Sequence, residues 1–450
     1  MKPNILVIMS DQHTPSVLGC YGNKDVLTPN LDALSENGVT FDNAYCNNPV
    51  CVPSRMSMLT GMHSHAIDVW HNGDALPPQL ATWPLSLRLE GYETVISGRN
   101  HMLWGDRLGG FSRRLCGDYG TVVPALKPGR TRQGSGLPQG IKGTLGPVED
   151  SKNIRLDEEA CREAEAYLED THKDPFALFV GLYNPHAPFT VPQKYYDMYK
   201  DFEPELHRDE VIEPMYKEFT DARGLDKDIL LDAIKTYYAM VSYVDDFVGR
   251  LMKSLEKSGQ LENTIVVYTS DHGEMLSRHG MWHKMCFYED SVRVPMIVMN
   301  QKRFSTGTHV SENISLLDLF PTFMDWAQHS TDLPLDGESF NAALTDSSWQ
   351  RTHAVIAESI GVKRSQPGLM VKQGHYKLIH YHDTPDVLFD LKSDPMEHIN
   401  KAEDPAYAEI MKSLVSKIPA DWDPEDINTT VDANLKHLYY HNLVGIQDQK

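Results

Sequence analysis

Six short clusters in the sequence carry side chains that can do chemistry together. They combine a cysteine nucleophile, histidines that can move protons, cations that can hold an anion, and acidic or amide groups that can bind a metal. The clusters are Asp11-Gln12, Cys51 to Arg55, Arg99 with His101, His186, Asp271-His272 and Lys284. Such a set can attack a tetrahedral ester only if the fold brings its members to one place.

The surrounding elements supply a reason for that convergence. Apolar runs predict buried strands at residues 4–9, 93–97, 176–182, 265–269 and 295–299, and helical patterns lie between them at 29–37, 156–169, 228–257 and 316–328. This alternation indicates an α/β fold with a large, mixed, mainly parallel sheet sandwiched by helices. Ligands gather at the carboxyl ends of such strands. Polar clusters follow four of the runs, so four strand ends are expected to meet at one site.

The pattern of predicted secondary structure changes after about residue 350. Short runs at 354–358, 368–372, 376–381 and 387–390 predict a small antiparallel sheet, followed by a helix near 406–418. We therefore predict a catalytic domain over 1–350, a smaller C-terminal α+β domain over 351–423, and a tail over 424–450. The tail is expected to dock on the body or on a neighbouring subunit. Residues 127–148, rich in Gly, Pro and basic residues, predict a surface loop or lid.

The composition and net charge of the chain limit the classes of molecule that it can bind. The 450 residues are 41% hydrophobic and carry a formal charge of -21, which argues against nucleic acid and anionic membranes, although a local basic pocket could still hold one anionic group. No signal peptide or membrane span is apparent, so a cytoplasmic location is expected, or a periplasmic one if a signal once preceded Met1. The six cysteines show no CxxC pairing and are expected to be inert thiols, Cys51 excepted.

Cys51 lies in a distinctive segment. Cys51-Val52-Pro53-Ser54-Arg55, with Thr60-Gly61 a few residues on, resembles the C-x-P-S-R signature of the formylglycine-dependent sulfatases in the alkaline phosphatase superfamily. The alternative is a small buried cysteine near a helix start. The resemblance extends over nearly the whole chain except the tail. It implies that a formylglycine-generating enzyme is a partner during maturation and converts Cys51 to an aldehyde.

The chemistry explains why such a conversion is useful. A thiol attacking a sulfate ester would leave an adduct that needs a second difficult displacement. With an aldehyde hydrate, one hydroxyl attacks sulfur and expels the alcohol, and the other drives elimination of sulfate and restores the aldehyde. Covalent catalysis is thereby divided into two manageable steps.

The resemblance also implies a metal site. Asp11, Gln12, Asp271 and His272, together with the modified Cys51, match the family's ligands for one divalent cation. A single Asp at a strand end is usually a helix cap, but two pairs in matching places favour metal binding. Gln12 replaces the commoner second aspartate and should weaken affinity for a hard cation. Calcium is the expected ion, and His272 leaves manganese open.

The remaining catalytic residues follow from the same resemblance. The segment from Gly91 to His101 is similar to the family's GYxT…GKxH run, with Arg99 in place of the lysine. Arginine keeps the charge and can grip an oxyanion through two hydrogen bonds. His101 is implied as the base, His186 as the donor to the leaving oxygen, and Lys284 as a sulfate ligand. Arg55 would hold the modified residue in position. His13, His63, His65, His279 and His283 are given no catalytic role.

Two local features bear on the substrate. The segment around Arg99 and Asn72 resembles the choline-sulfatase branch, whereas Asp11-Gln12 with His272 is also similar to the phosphonate monoester hydrolases. Asn72, Asp74 and Trp104 are expected to face the substrate, the alternative being lid and core residues.

The resulting prediction is hydrolysis of a small sulfate monoester, choline sulfate-like or a sulfated sugar, to an alcohol and inorganic sulfate. One alternative is a phosphonate monoester or phosphodiester hydrolase on the same scaffold. Another is a binding protein in which Cys51 stays a thiol. Aromatic residues near Tyr439 in the tail favour a homo-oligomer.

Overall fold

The structure is a computed structural model that describes residues 2–101, 108–117, 145–207, 212–213, 216, 226–361 and 366–447, with side chains to residue 437. Trp104 and residues 127–144 of the predicted lid lie outside these ranges. Within them, no helix combines the length and apolar character needed to cross a membrane.

The regular elements are numbered in chain order. The helices are α1 (Pro29–Glu36), α2 (Cys51–Thr60), α3 (Ser64–Ile67), α4 (Trp83–Leu89), α5 (Lys152–Glu169), α6 (Gln193–Tyr196), α7 (Lys227–Lys257), α8 (Glu289–Val292), α9 (Leu319–Trp326), α10 (Ala408–Val415) and α11 (Pro424–Gln447). The strands are β1 (Asn4–Ser10), β2 (Val39–Tyr45), β3 (Glu93–Gly98), β4 (Arg113–Arg114), β5 (Gly146–Pro147), β6 (Phe176–Gly181), β7 (Thr190–Val191), β8 (Thr264–Ser270), β9 (Arg293–Val294), β10 (Met296–Met299), β11 (Thr308–Ser315), β12 (Val355–Ser359), β13 (Gly368–Gln373), β14 (Tyr376–Tyr381) and β15 (Val387–Asp390).

The large sheet has the order β11-β2-β10-β8-β1-β6-β3-β4, with β9 paired to β2. Strand β1 is central and runs parallel to β8 and β6. Its side chains alternate between two cores: Ile5, Val7 and Met9 belong to one, and Leu6 and Ile8 to the other. Helices α2, α4 and α9 cover the first face, and α1, α5 and α7 cover the second. The predicted helix-covered, mainly parallel sheet is therefore confirmed.

One strand differs in direction from the sequence prediction. Strand β10, expected to be a buried parallel strand, runs antiparallel to both β8 and β2. The chain between β8 and β10 holds the four-residue helix α8 and strand β9, which pairs with β2, and it has no long helix of the kind that usually makes a parallel crossover. Because β10 is buried on both faces, its apolar pattern carries no information about its direction.

The C-terminal region forms a second sheet with the order β12-β13-β14-β15, all antiparallel. One face, including Met370 and Ile379, packs into the first core of the large sheet. The other face packs on α10, on Trp422, and on Ile427 and Val431 at the start of the tail. The tail is a helix, α11, and Asn434 Nδ2 donates to the carbonyl of Asp68 at 3.1 Å. The domain boundaries and the homo-oligomer stay predictions.

An ion pair joins helix α3 to the C-terminal sheet and predicts that stability depends on pH. His65 Nδ1 on α3 lies 2.7 Å from Glu358 Oε1 on β12. Burial opposes the charged imidazole, but the hydrogen bond and charge of Glu358 outweigh it and raise the pKa of His65 to about 9. Because the unfolded value is about 6.5, the stabilisation is complete below that pH and is lost as the pH rises through about 9.

Replacement of His65 by glutamine should therefore make the free energy of unfolding depend less on pH. We expect the native protein to lose about 1–3 kcal/mol of unfolding free energy between about pH 6.5 and 9.5 and His65→Gln to lose much less. Denaturant titrations at the two pH values measure this. His353→Gln is the control, because His353 is 78% exposed and 3.5 Å from its partner. Parallel profiles for the native and His65→Gln proteins would contradict the assignment.

Candidate active site

Three segments bring the predicted nucleophile and metal ligands together. Asp11 follows β1, Asp271 and His272 follow β8, and Cys51 is the first residue of α2. One ligand atom from each of the four lies within 4.8 Å of all the others, and all four residues are fully buried. Cys51 Sγ is 3.2 Å from His272 Nε2 and 3.9 Å from Asp11 Oδ1.

A side-chain cap and a glycine define the two ends of helix α2. The backbone N–H of Val52 donates to Asn72 Oδ1 at 2.9 Å, which caps the helix beside Cys51. The helix ends at Gly61, whose left-handed φ of 67° favours glycine and whose N–H donates to the Ser57 carbonyl. All ten residues of α2 are buried. Cys51 thus lies at the positive end of a buried helix, where an anionic nucleophile is favoured.

Two arginines neutralise the carboxylates of Asp11 and Asp271 by donating to their Oδ2 atoms. Arg55 donates through Nε to Asp271 Oδ2 at 2.8 Å and through Nη2 to Asp11 Oδ2 at 3.1 Å. Arg99 Nε donates to the same Asp11 oxygen at 2.6 Å. Burial opposes the ionisation of Asp11, but the charges of Arg99 and Arg55 outweigh it and hold its pKa well below the usual range. The Oδ1 atoms of both aspartates are left on the side of Cys51 and His272.

These four side chains fit a divalent cation. His272 Nδ1 lies 3.0 Å from the carbonyl of Gly273, so the ring proton belongs there and the Nε2 lone pair faces the two aspartates. Nε2 is 3.7 Å from Asp271 Oδ1 and 3.9 Å from Asp11 Oδ1. Two carboxylate oxygens, one imidazole and the Cys51 position therefore converge, which is a donor set for calcium or manganese.

Gln12 lies beside this cluster and is held at both ends of its amide. Oε1 accepts a hydrogen bond from Lys284 Nζ, and Nε2 donates to Glu274 Oε2. An amide oxygen has two lone pairs, so this bond does not exclude the predicted role of Gln12 as a metal ligand. Glu274 is fully buried and also accepts from the backbone N–H of His283 at 2.6 Å. Glu274 thereby fixes which end of the Gln12 amide faces Lys284.

His186 and Lys284 form a donor pair at the edge of the site. Lys284 Nζ is 3.0 Å from His186 Nε2, and His186 Nδ1 is 2.6 Å from the Ala187 carbonyl. Burial and the charge of Lys284 lower the pKa of His186. In this arrangement the imidazole is neutral and the ammonium holds the proton. The proton predicted to reach the leaving oxygen through His186 would therefore come from this pair as a unit.

His101 is placed differently from what a simple general base requires. Arg99 Nη2 lies 2.9 Å from His101 Nδ1 and can only donate to it, so the neutral ring carries its proton on Nε2. Burial and the charge of Arg99 lower the pKa of His101 well below its ordinary value. The base role predicted for His101 therefore requires Arg99 to release Nδ1, and the static geometry favours a hydrogen-bond donor instead.

The three residues predicted to face the substrate are only partly described. Asn72 Oδ1 is used to cap α2. Asp74 is 5% exposed, and its carboxylate accepts from the backbone N–H groups of Trp70 and His71 at 2.7 and 3.0 Å. Both side chains thus have structural contacts, and their predicted contact with the substrate stays a prediction. Trp104 lies outside the described residues.

Comparison with known proteins decides the family. A profile described as "Sulfatase" matches residues 3–329, and one for the C-terminal region of N-sulphoglucosamine sulphohydrolase matches residues 277–421. The chain belongs to the sulfatase family. It is 30% identical to a choline-sulfatase of Rhizobium meliloti over 96% of this chain and 89% of that protein. This sulfatase is accordingly a sulfuric ester hydrolase, and the alternative of a binding protein is not supported.

Solved structures agree on the fold. A 2-O GAG sulfatase superposes with a TM-score of 0.74 at 26% identity, covering 95% of this chain and 96% of that one. A phosphonate monoester hydrolase of Agrobacterium radiobacter superposes with a TM-score of 0.76 at 24% identity, covering 92% and 94%. The second likeness concerns the fold alone.

Sequence reasoning missed two side chains that shape the site of this sulfatase. Glu274 orients Gln12, and Tyr183 places its ring 4.5 Å from the guanidinium carbon of Arg99. Glu274 could have been found from its spacing, three residues after Asp271 in a buried turn. Tyr183 gave no signal, because its role depends on the approach of β3 and β6, which places Gly98 beside Gly181.

Proposed function

We propose that this sulfatase hydrolyses a small sulfate monoester through a formylglycine hydrate formed from Cys51, with one divalent cation, calcium before manganese. The observation that carries the proposal is the position of Cys51. It lies at the start of α2, fully buried, with a carboxylate oxygen from each of Asp11 and Asp271 and the Nε2 atom of His272 around its side chain.

Each residue then has a defined task. The cation, when bound, lowers the pKa of the nucleophilic hydroxyl and neutralises the sulfate oxygens. Arg55 holds Asp11 and Asp271 in place, and Arg99 and Lys284 provide positive charge for the sulfate. A hydrate hydroxyl forms the bond to sulfur while the ester S–O bond breaks and the alcohol takes a proton from the Lys284–His186 pair. The second hydroxyl then loses its proton to Nδ1 of His101, once Arg99 has released that atom, and the C–O bond to sulfate breaks as the aldehyde is restored.

A small alcohol suits the charge of the molecule better than a polysulfated chain, because a formal charge of -21 repels extended polyanions. The likeness to a choline-sulfatase supports a choline sulfate-like substrate, and a sulfated sugar is the second candidate. Parallel assays with choline sulfate and monosulfated hexoses, scored by release of inorganic sulfate, separate them. Turnover of neither, with an active aryl sulfate control, would overturn the small-substrate proposal.

A phosphonate monoester or phosphodiester is a second candidate reaction. It is supported by Gln12 beside Asp11 and by His272 at the metal cluster, since an amide in place of a carboxylate lowers the negative charge facing the anion. The test compares kcat/KM for an aryl sulfate and an aryl phosphonate. We expect the sulfate to be preferred, and a phosphonate preference of tenfold or more would reverse the assignment.

Metal removal should affect both activity and stability. After dialysis against a chelator, we expect turnover of an aryl sulfate to fall at least about 100-fold, because the sulfate oxygens lose their Lewis acid. The melting temperature should also fall, since a cation that binds only the folded state stabilises it. Calcium or manganese should restore both quantities. A melting temperature indifferent to chelator and to added metal would contradict the assignment of Asp11, Asp271 and His272 as ligands.

A further inference from the structure

A second cationic pocket lies at the junction between the large sheet and the C-terminal sheet. Its volume is about 550 Å³, and it is lined by residues that follow β8, by β11, and by the β13–β14 hairpin and the turn after β15. Among the described residues that line it, none belongs to the proposed catalytic set. The pocket is therefore distinct from the cluster around Cys51.

The charges lining this pocket have an excess of positive sign. Arg278, Arg293, Lys372 and Lys392 are cations, and Glu289 and Asp290 are the two anions. This excess contrasts with the formal charge of -21 for the whole chain. A concave, locally positive region on an acidic protein concentrates small anions.

Both acidic side chains are committed to donors other than the pocket arginines. Glu289 Oε1 is 2.9 Å from Lys377 Nζ, and Oε2 accepts from the Tyr45 hydroxyl at 3.1 Å. Asp290 Oδ1 accepts from Thr14 Oγ1 at 3.0 Å. Arg278 and Arg293 form ion pairs with Asp290 and Glu289 at 3.7 and 3.8 Å, but these distances are too long for hydrogen bonds.

Three donors are left for a ligand. Arg293 Nε is a buried N–H that has no acceptor within the described part of the chain. Lys372 is 2% exposed, and among the described residues its ammonium has two acceptors, both neutral: Asn313 Oδ1 at 3.2 Å and the Gly374 carbonyl. Burial lowers the pKa of Lys372 to about 8, although the charge of Glu289 opposes this shift. Lys392 is exposed at the rim.

We propose that this pocket binds a small tetrahedral oxyanion, inorganic sulfate or phosphate, through Lys372 and Arg293. A dianion matches the net excess of positive charge, and guanidinium and ammonium groups are the usual partners of such anions. Sulfate is also the product of the reaction, so the site could respond to product. The inference itself does not depend on the proposed substrate or on formylglycine.

The first test locates the anion directly. Crystals of the full chain soaked in selenate, which resembles sulfate and scatters anomalously, should show a peak beside Lys372 and Arg293, separate from any peak near Cys51. A peak at the catalytic cluster alone would overturn the proposal. So would binding that appears only at crystal concentrations and is absent in solution, because the ion would then be adventitious only.

The second test measures affinity in solution. Calorimetric titrations of sulfate and, separately, phosphate into the full chain should reveal this site, and Lys372→Met should weaken it at least tenfold. Lys302→Met is the matched control, since Lys302 pairs with Glu262 on the surface elsewhere. If Lys372→Met does not fold, Lys392→Met should weaken binding about threefold. Unchanged affinity in the folded variant would refute the site, and the ratio of the two anions identifies which one it prefers.

Inhibition kinetics keep this proposal separate from the catalytic one. Sulfate should still compete with an aryl sulfate in Lys372→Met with an unchanged inhibition constant, because that competition occurs at the Cys51 cluster. If the enzyme proves inactive on every sulfate ester, the titrations still test the pocket. If the inhibition constant rises tenfold in Lys372→Met, the pocket belongs to the catalytic site and the proposal of a distinct site is wrong.

Discussion

Cys51→Ala should lose aryl sulfate turnover by about 10⁴-fold or more, because removal of a covalent nucleophile leaves only the contribution of binding and electrostatics. The side chain lies 3.2 Å from His272 Nε2 and is completely buried, so no solvent molecule can readily replace it in the same geometry. The measurement is the initial rate, paired with peptide mass spectrometry of the Cys51 segment in the native protein to detect the aldehyde.

A second cysteine provides the control for that experiment. Cys161 on α5 is equally buried, but it belongs to the core on the other face of the sheet. Cys161→Ala should keep at least half of the native rate and lose only a little stability. If Cys51→Ala retained the native rate, another residue would be the nucleophile and the formylglycine mechanism would fail.

Lys377→Met should lower the free energy of unfolding by about 3–5 kcal/mol, the usual cost of breaking a buried ion pair. Lys377 is completely buried on β14, and its ammonium lies 2.9 Å from Glu289 Oε1, contacts Glu397, and donates to the Phe287 carbonyl at 2.8 Å. Without it, two buried carboxyls lose their cation. Burial already raises the pKa of Glu397 to about 8. Chemical denaturation of the full chain measures the loss.

Two further variants sharpen the Lys377 experiment. Adding Glu289→Gln to Lys377→Met should recover part of the lost stability, because Glu289, whose pKa Lys377 lowers to about 2 against the effect of burial, is the carboxyl left charged without its cation. Lys257→Met is the surface control, since the Lys257–Glu169 pair is largely exposed and should contribute little to stability. If Lys377→Met were as stable as this control, the buried network would not hold the two sheets together.

The central part of the fold could be predicted because buried parallel strands and long amphipathic helices leave strong patterns. The predicted run at 4–9 became β1 at Asn4–Ser10, and the predicted helix at 228–257 became α7 at Lys227–Lys257. The missed strands β2 and β11 carry polar residues such as Asp42 and Glu312. Their place in the sheet comes from pairing with each other over long sequence distances, which a local pattern does not contain.

Which residues form the candidate site could be predicted from the sequence. Their protonation states could not. Strand-end position located Asp11, Asp271 and His272, and the structure brings them together with Cys51. Proton positions could not be predicted, because they depend on partners from other segments. Arg99 determines the tautomer of His101, and Lys284 holds the proton in its pair with His186. Asn72 and Asp74 show the same limit, since their roles depend on contacts with backbone N–H groups.

The order of the strands has a consequence for events on the ribosome. Cys51 is buried only when α2 packs beneath residues that follow β8, and Ser54 Oγ bonds the Asp271 carbonyl at 2.6 Å. About 220 residues separate Cys51 from Asp271 in the chain. At roughly 5–20 residues per second, translation of that stretch takes about 10–45 s. Throughout that interval Asp271 is not yet available to pack against α2, so the proposed conversion of Cys51 would have a defined time in which the thiol can be reached.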